Sequence, residues 1–147
     1  MKPRKIALKK FFEIYSKVPR LTVDVVLKTP EGILLTKRDI PPAKGMWHIP
    51  GGTVLFGETH KDAVKRVSKE ELGIEVKIGE QIGIIEYGRD YSVGQTTAVV
   101  YLVSLKSGKL KGGEQGREMK FFKYIPDNTI PDQAEFIKKR FNFKYTS

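Results

Sequence analysis

The chain has 147 residues, 39% of them apolar and 30% charged, with no cysteine and a formal net charge of +10. That length suits a single domain, expected over 1–147, with a hydrophobic core of its own. The composition excludes several classes. No apolar run approaches the ~18–20 residues of a membrane span, no apolar signal core opens the chain, and without cysteine there is no disulfide framework and no thiolate zinc site. A cytoplasmic location is the default expectation, with no membrane partner. Seven cations but only one acid, Glu13, fall in residues 1–20. A solvated basic face on a terminal helix explains that excess better than a nucleic-acid surface does.

In chain order, residues 4–17 read as a helix, with Ile6, Phe11, Ile14, Tyr15 and Val18 near one stripe and Pro19 closing it. Leu21 to Leu27 and Ile33 to Arg38 read as a hairpin around Thr29-Pro30-Glu31-Gly32. Ile40 to Gly45 is a loop, Trp47 to Ile49 a short strand, and Pro50-Gly51-Gly52 its break. Thr59 is the expected N-cap of a helix running to Leu72, with Asp62 completing the cap and Gly73 ending it. Val76 to Tyr87, Thr96 to Leu105 and Met119 to Ile125 read as strands. Loops are expected around Arg89–Gly94 and over Lys106–Gly116. Pro131 opens a last helix through about Phe141, whose C-terminal lysines and arginine suit the helix dipole. Many strands with one central and one terminal helix imply a mixed sheet packed between helices.

The chemistry concentrates between Gly52 and Ile74. Gly52, Glu58, Arg66, Glu70, Glu71 and Gly73 stand at fixed spacing. On a helix Val67, Glu70 and Glu71 share a face. Two neighbouring acids there are costly unless paired, and a hard cation removes that cost: Mg²⁺ takes one or two carboxylates plus substrate phosphates. Gly51 and Gly52 let the backbone come close, so a carbonyl there could join the coordination. The plainer alternative is an amphipathic helix with surface pairs such as Arg66–Glu70. Six identities at this spacing arise by chance on the order of once in ten million starting positions, which disfavours that alternative.

At these residues the sequence resembles the Nudix hydrolase family, whose box reads G-x5-E-x7-R-E-U-x-E-E-x-G-U, with U a bulky apolar residue. The resemblance implies an α/β/α sandwich with a mixed sheet, in which 52–74 is the box and 1–19 an N-terminal helical extension. It also implies Mg²⁺-dependent, or Mn²⁺-dependent, hydrolysis of a nucleoside diphosphate linked to another group. Two box positions depart: Val67 stands where the family has Glu, and Ser68 where it has an apolar residue. GDP-mannose mannosyl hydrolases share the first departure. They also resemble this chain at Pro19–Asp24, Leu34–Arg38, Pro41–Trp47, Pro50-Gly51-Gly52 and Glu114-Gln115. They differ at Gly116, where they carry a His proposed as general base, and at Thr53, where they carry a phosphate-binding Arg.

By this resemblance the Gly51 carbonyl, Glu70, Glu71 and Gln115 are the metal-binding set. Arg38 would stabilise the departing diphosphate, and Asp24 would sit near metal and nucleotide. Gly52, Glu58, Arg66 and Gly73 would be structural. Tyr87, Arg89 and Tyr91 are candidates for stacking on base or sugar. His48 is a weaker candidate contact, and Trp47 is read as core. Glu118 or Asp90 could replace the missing base. The expected substrate is a nucleotide sugar, GDP-mannose-like, attacked at the anomeric carbon. The alternatives are a nucleoside triphosphate or ADP-ribose pyrophosphohydrolase and a non-catalytic nucleotide sensor. The N-terminal segment is expected to form a homodimer.

Overall fold

The computed structural model describes residues 2–41, 43–88, 94–111 and 118–146. In chain order these form α1 (Leu8–Tyr15), β1 (Arg20–Thr29), β2 (Gly32–Lys37), β3 (Trp47–His48), β4 (Gly51–Thr53), α2 (His60–Val67), β5 (Ile74–Tyr87), β6 (Thr96–Gly108), β7 (Met119–Phe122) and α3 (Pro131–Phe141). The main path of the sheet is β3-β2-β1-β6-β5, with β4 also paired to β1 and β7 to β2. β1 and β6 run parallel, Arg20 opposite Thr96 through to Leu27 opposite Val103. The other pairings are antiparallel, so the sheet is mixed, as expected.

Apolar side chains leave both faces of the sheet. Val23, Val25 and Leu27 of β1 join Ala63, Val64 and Val67 of α2 in one cluster. Val26, with Ile33 and Leu35 of β2, joins Ala134 and Ile137 of α3 in another. The two clusters sandwich the sheet between α2 and α3. β1 alternates between these layers because successive strand side chains point to opposite faces. That alternation puts Arg20, Thr22 and Asp24 on the α3 side, in line with Val26.

Several local expectations are corrected. α1 is shorter than 4–17: it starts at Leu8 without a side-chain cap or a first-turn acid, and the preceding residues form an arm that reaches the box. Pro50-Gly51-Gly52 does not simply break β3, because Gly51–Thr53 form β4 along β1, with Gly51 opposite Asp24 and Gly52 opposite Val23. Glycine is required at that approach: a Cβ on Gly51 would lie 2.3 Å from Asp24 Oδ1 and 2.7 Å from the Val23 carbonyl oxygen.

The α2 cap forms as read, with Thr59 Oγ1 accepting from Asp62 N–H and Asp62 accepting from Thr59 N–H. The helix does not continue as α to Leu72, however. Ser68–Leu72 is a π-helical turn. Ser68 is buried and its Oγ donates to the Val64 carbonyl at 2.7 Å, a side-chain bond of the type that loosens a regular helix. Gly73 ends the turn in the left-handed region at φ 73°. β5 begins two residues before Val76, and β6 continues to Gly108, past the loop start expected at Lys106. β7 ends at Phe122, and Ile125 instead bridges to Tyr145.

Candidate active site

A cleft of about 200 Å³ opens on the α3 side of β1. Arg20, Thr22 and Asp24 line one wall, Gly51 and Gly52 the floor beside them. Arg38, His48, Glu71, Tyr87, Thr96 and Gln133 complete the polar lining. The fold thus brings Asp24, Arg38, Gly51, Glu71 and Tyr87 to one cavity from five separate stretches of sequence.

Asp24 is 5% exposed. The Tyr87 hydroxyl donates to its Oδ2 at 2.5 Å, and Gln133 Nε2 donates to the Tyr87 oxygen at 2.7 Å. Gln133 is fixed in turn, since its Oε1 accepts from the Ile49 N–H at 2.5 Å. Burial raises the Asp24 pKa to about 7, although the Tyr87 bond and the nearby Arg20 charge both act to lower it. Burial, with Asp24 beside it, lifts the Tyr87 phenol well above its ordinary value, so the hydroxyl stays a donor. Tyr87 is therefore not an exposed loop aromatic. It is the last residue of β5, and its hydroxyl works inside the cleft. Arg89, Tyr91 and Asp90 lie outside the described residues, as do Glu114, Gln115 and Gly116.

Across Gly51 and Gly52 lies a second recess of about 230 Å³, also lined by Val67, Glu70 and Glu71. The two acids and Val67 therefore share one side of the box helix. Val67 itself is 2% exposed and packs under Gly52, where a Cβ would meet its Cγ2 at 2.9 Å. A valine here closes the core beneath the glycine strand.

The N-terminal arm forms the outer wall of this recess. Lys5 Nζ lies 2.7 Å from Glu70 Oε2, and Arg66 Nη1 approaches both Glu70 oxygens at 3.4 Å. Glu70 is thus already paired with cations of its own chain. Arg66 is further held by Glu58, Nε to Oε2 at 2.7 Å, and donates from Nη2 to the Thr53 carbonyl at 2.7 Å. Burial pushes the Glu58 pKa up, but the Arg66 and Leu55 N–H hydrogen bonds more than offset this and leave it lowered. This clamp ties the loop before α2 to β4.

Of the other residues considered, His48 is buried at 7% exposure and lies in the cleft beside the Thr36 hydroxyl. Trp47 packs edge-on against Phe122, as a core residue would. Glu118 approaches Lys37 at 3.8 Å and is not among the residues lining the cleft. Sequence reasoning missed Arg20, Thr22 and Gln133. The strict polar–apolar alternation of Arg20-Leu21-Thr22-Val23-Asp24-Val25 carries a signal for the first two. Gln133, on the buried side of α3 with Ala134 and Ile137, carries a weaker one.

The comparisons agree with this geometry. The NUDIX domain family matches residues 18–144. The chain is 36% identical over 115 residues to the low-salt glycan biosynthesis protein Agl8 of Haloferax volcanii, covering 74% of each. It is 32% identical over 130 residues to the ADP-ribose pyrophosphatase of Methanocaldococcus jannaschii, covering 86% of this chain and 75% of that one. Among solved structures, a MutT NUDIX hydrolase from Burkholderia pseudomallei superposes with a TM-score of 0.76 at 26% identity, over 84% of this chain and 98% of that one. A MutT/nudix family protein from Enterococcus faecalis gives 0.71 at 26% identity, over 95% and 70%. These matches establish the superfamily and not the mannosyl hydrolase subfamily within it. With the mixed sheet between two helical layers and the box helix at the rim of a polar cleft, the chain belongs to the NUDIX family of hydrolases.

Proposed function

We propose that the protein hydrolyses the diphosphate bridge of a nucleoside diphosphate linked to a second group, with an ADP-ribose-type compound as substrate. The observation that carries this reading is the cleft in which Arg20 and Arg38 share a cavity with Glu71 and the Gly51–Gly52 strand. Guanidinium groups are suited to phosphoryl oxygens, and a cavity of this size takes part of such a molecule rather than all of it. The adenine and ribose assignment is supported by the Methanocaldococcus relative. GDP-mannose and attack at the anomeric carbon have less support, because the matches reach the superfamily and not the mannosyl hydrolase subfamily.

The donor chemistry suits a hard divalent cation. Glu71 and Gly51 meet at the cleft floor, with Glu70 on the adjoining recess. The described residues contain no cluster of three acidic or histidine side chains that could hold an ion, and Mg²⁺ commonly takes phosphate and water oxygens beside one or two carboxylates. Glu71, Glu70 and the Gly51 carbonyl, with Gln115 of the loop outside the described residues, would hold Mg²⁺ or Mn²⁺. When bound, that ion neutralises charge on the diphosphate.

The chain's own groups supply the rest. Arg38 binds and stabilises the leaving phosphate. Asp24, with a pKa of about 7, is ionised often enough at neutral pH to accept a proton from water at its carboxylate. Tyr87 and Gln133 hold that carboxylate in place. This relieves the need for a base at position 67.

A panel of ADP-ribose, GDP-mannose, dinucleotides and nucleoside triphosphates with Mg²⁺ tests the reading. ADP-ribose should give the highest kcat/KM, yielding AMP and ribose 5-phosphate, with ¹⁸O from water in a phosphate product. Label in a free sugar, or turnover of GDP-mannose alone, overturns it. The homodimer is a separate proposal. Ile6, Leu8, Phe12 and Val18 remain exposed around α1, which supports self-association through this segment. Light scattering of the full chain and of a chain lacking residues 1–18 tests it.

A further inference from the structure

Arg20 and Thr22 lie two residues apart on one face of β1, and both open into the cleft. Thr22 is 4% exposed, and among the described residues its Oγ1 has no hydrogen-bond partner. The buried Nε of Arg20 has none either. Buried polar atoms in folded proteins are nearly always paired, and an unpaired one is unfavourable. Here two lie on the same strand face, in the same cavity.

The rest of the Arg20 side chain is held firmly. Nη1 donates to Thr53 Oγ1 at 2.8 Å, and the guanidinium sits 5.5 Å from the centroid of the Phe11 ring. α1 thus buttresses Arg20 on one side and Thr53 of β4 on another, while Nε stays buried without a partner among the described residues. A fixed cation with a spare N–H, next to a spare hydroxyl, matches an anionic group with more than one acceptor oxygen. Two strand residues span roughly 6.6 Å, enough for two oxygens of one phosphoryl group once the side chains converge.

We propose that Arg20 and Thr22 form a second phosphoryl-recognition site, which takes the phosphate of the diphosphate not held by Arg38. The inference rests on reading the cleft as the diphosphate site. It makes Arg20 and Thr22 specificity-determining: the pair selects ligands with two linked phosphates over monophosphates. It also gives α1 a task within its own chain, since Phe11 packs beside the Arg20 guanidinium.

The test is calorimetric binding of α,β-methylene-ADP and of AMP in Mg²⁺, with wild type, Thr22→Val and Arg20→Gln. Thermal melts of each variant accompany it. Thr22→Val keeps the side-chain shape and stays folded even where Arg20→Gln does not, so it decides alone if necessary. Both variants should weaken the methylene-ADP complex roughly tenfold or more and AMP by less than about threefold. Unchanged affinity for methylene-ADP in Thr22→Val overturns the proposal; the pair then holds only a structural water. Failure of wild type to prefer methylene-ADP over AMP overturns it as well. If no substrate in the panel is turned over but the diphosphate preference depends on Thr22 and Arg20, the proposed reaction fails and this site stands.

Discussion

The two faces of β1 differ sharply in what they bury. Toward α2 the strand presents Val23, Val25 and Leu27, all at most 2% exposed and packed on the box helix. Toward α3 it presents Arg20, Thr22 and Asp24, two of them as deeply buried as ordinary core residues but lining a cavity. Neighbouring residues of one strand therefore serve opposite ends. The dry face contributes stability, at about 1.5–3 kcal/mol per large apolar side chain. The polar face gives up that contribution and holds two donors, Arg20 and Thr22, and one carboxylate, Asp24, in low dielectric. A buried polar wall is retained when something is to be bound there.

The comparison breaks most readily at the rim where the two faces meet. Glu71→Gln should lower kcat by on the order of 10²–10³ while the melting temperature stays within a few degrees, because the carboxylate is needed for the cation and diphosphate and not for packing. Steady-state kinetics with a thermal melt check this, and near-normal turnover would remove Glu71 from the site.

On the dry face the pattern inverts. Leu27→Ala should cost about 2–5 kcal/mol of unfolding free energy, read by urea titration. The protein that remains folded should keep its KM, because Leu27 faces away from the cleft. A changed KM with unchanged stability would dissolve the distinction between the faces.

Asp24→Asn sharpens it from the other side. The folded-state pKa of Asp24, about 7, lies above its ordinary unfolded value. The native state therefore holds the proton more tightly, and stability falls as pH rises from about 4 to about 7. Above pH 7 the ionised carboxylate is a net cost. In EDTA at pH 8, Asp24→Asn should accordingly raise stability by on the order of 1–3 kcal/mol while turnover in Mg²⁺ drops. At pH 4 the stability difference should vanish. A variant less stable than wild type at pH 8 would contradict the assignment.

The smallest effect is at the arm. Lys5 pairs with Glu70 across exposed surface, so Lys5→Ala should tighten Mn²⁺ binding by less than about fivefold, in keeping with an exposed ion pair. Calorimetry with Mn²⁺ measures it. A weakened affinity would mean that Lys5 supports the metal site and does not compete with it.

Much of this could be read along the chain. The Gly52–Gly73 spacing, the Thr59–Asp62 cap and the Gly73 stop are local, set by residues a few positions apart, and the α2 start follows them. Alternating apolar residues in β1 and β6 and the apolar faces of α2 and α3 dictate a mixed sheet between helices. Glu71 was legible from the box itself, whereas Asp24 and Arg38 were named only from the resemblance at Pro19–Asp24 and Leu34–Arg38, outside the box.

What only tertiary structure decided depends on distant partners. Gln133 reaches Ile49 across 84 positions and Tyr87 across 46, and nothing near Tyr87 in sequence says that its hydroxyl meets Asp24. The arm's contact with Glu70 spans 65 positions. The alternation in β1 shows that one face is polar, but a polar face is ordinarily left to water. Its burial, and with it the shifted Asp24 and the unpaired Arg20 and Thr22 atoms, arises only when α3, β4 and α1 close around it. Local spacing determines elements and caps; the dielectric and hydrogen-bond partners of a side chain are set by whatever the fold brings against it.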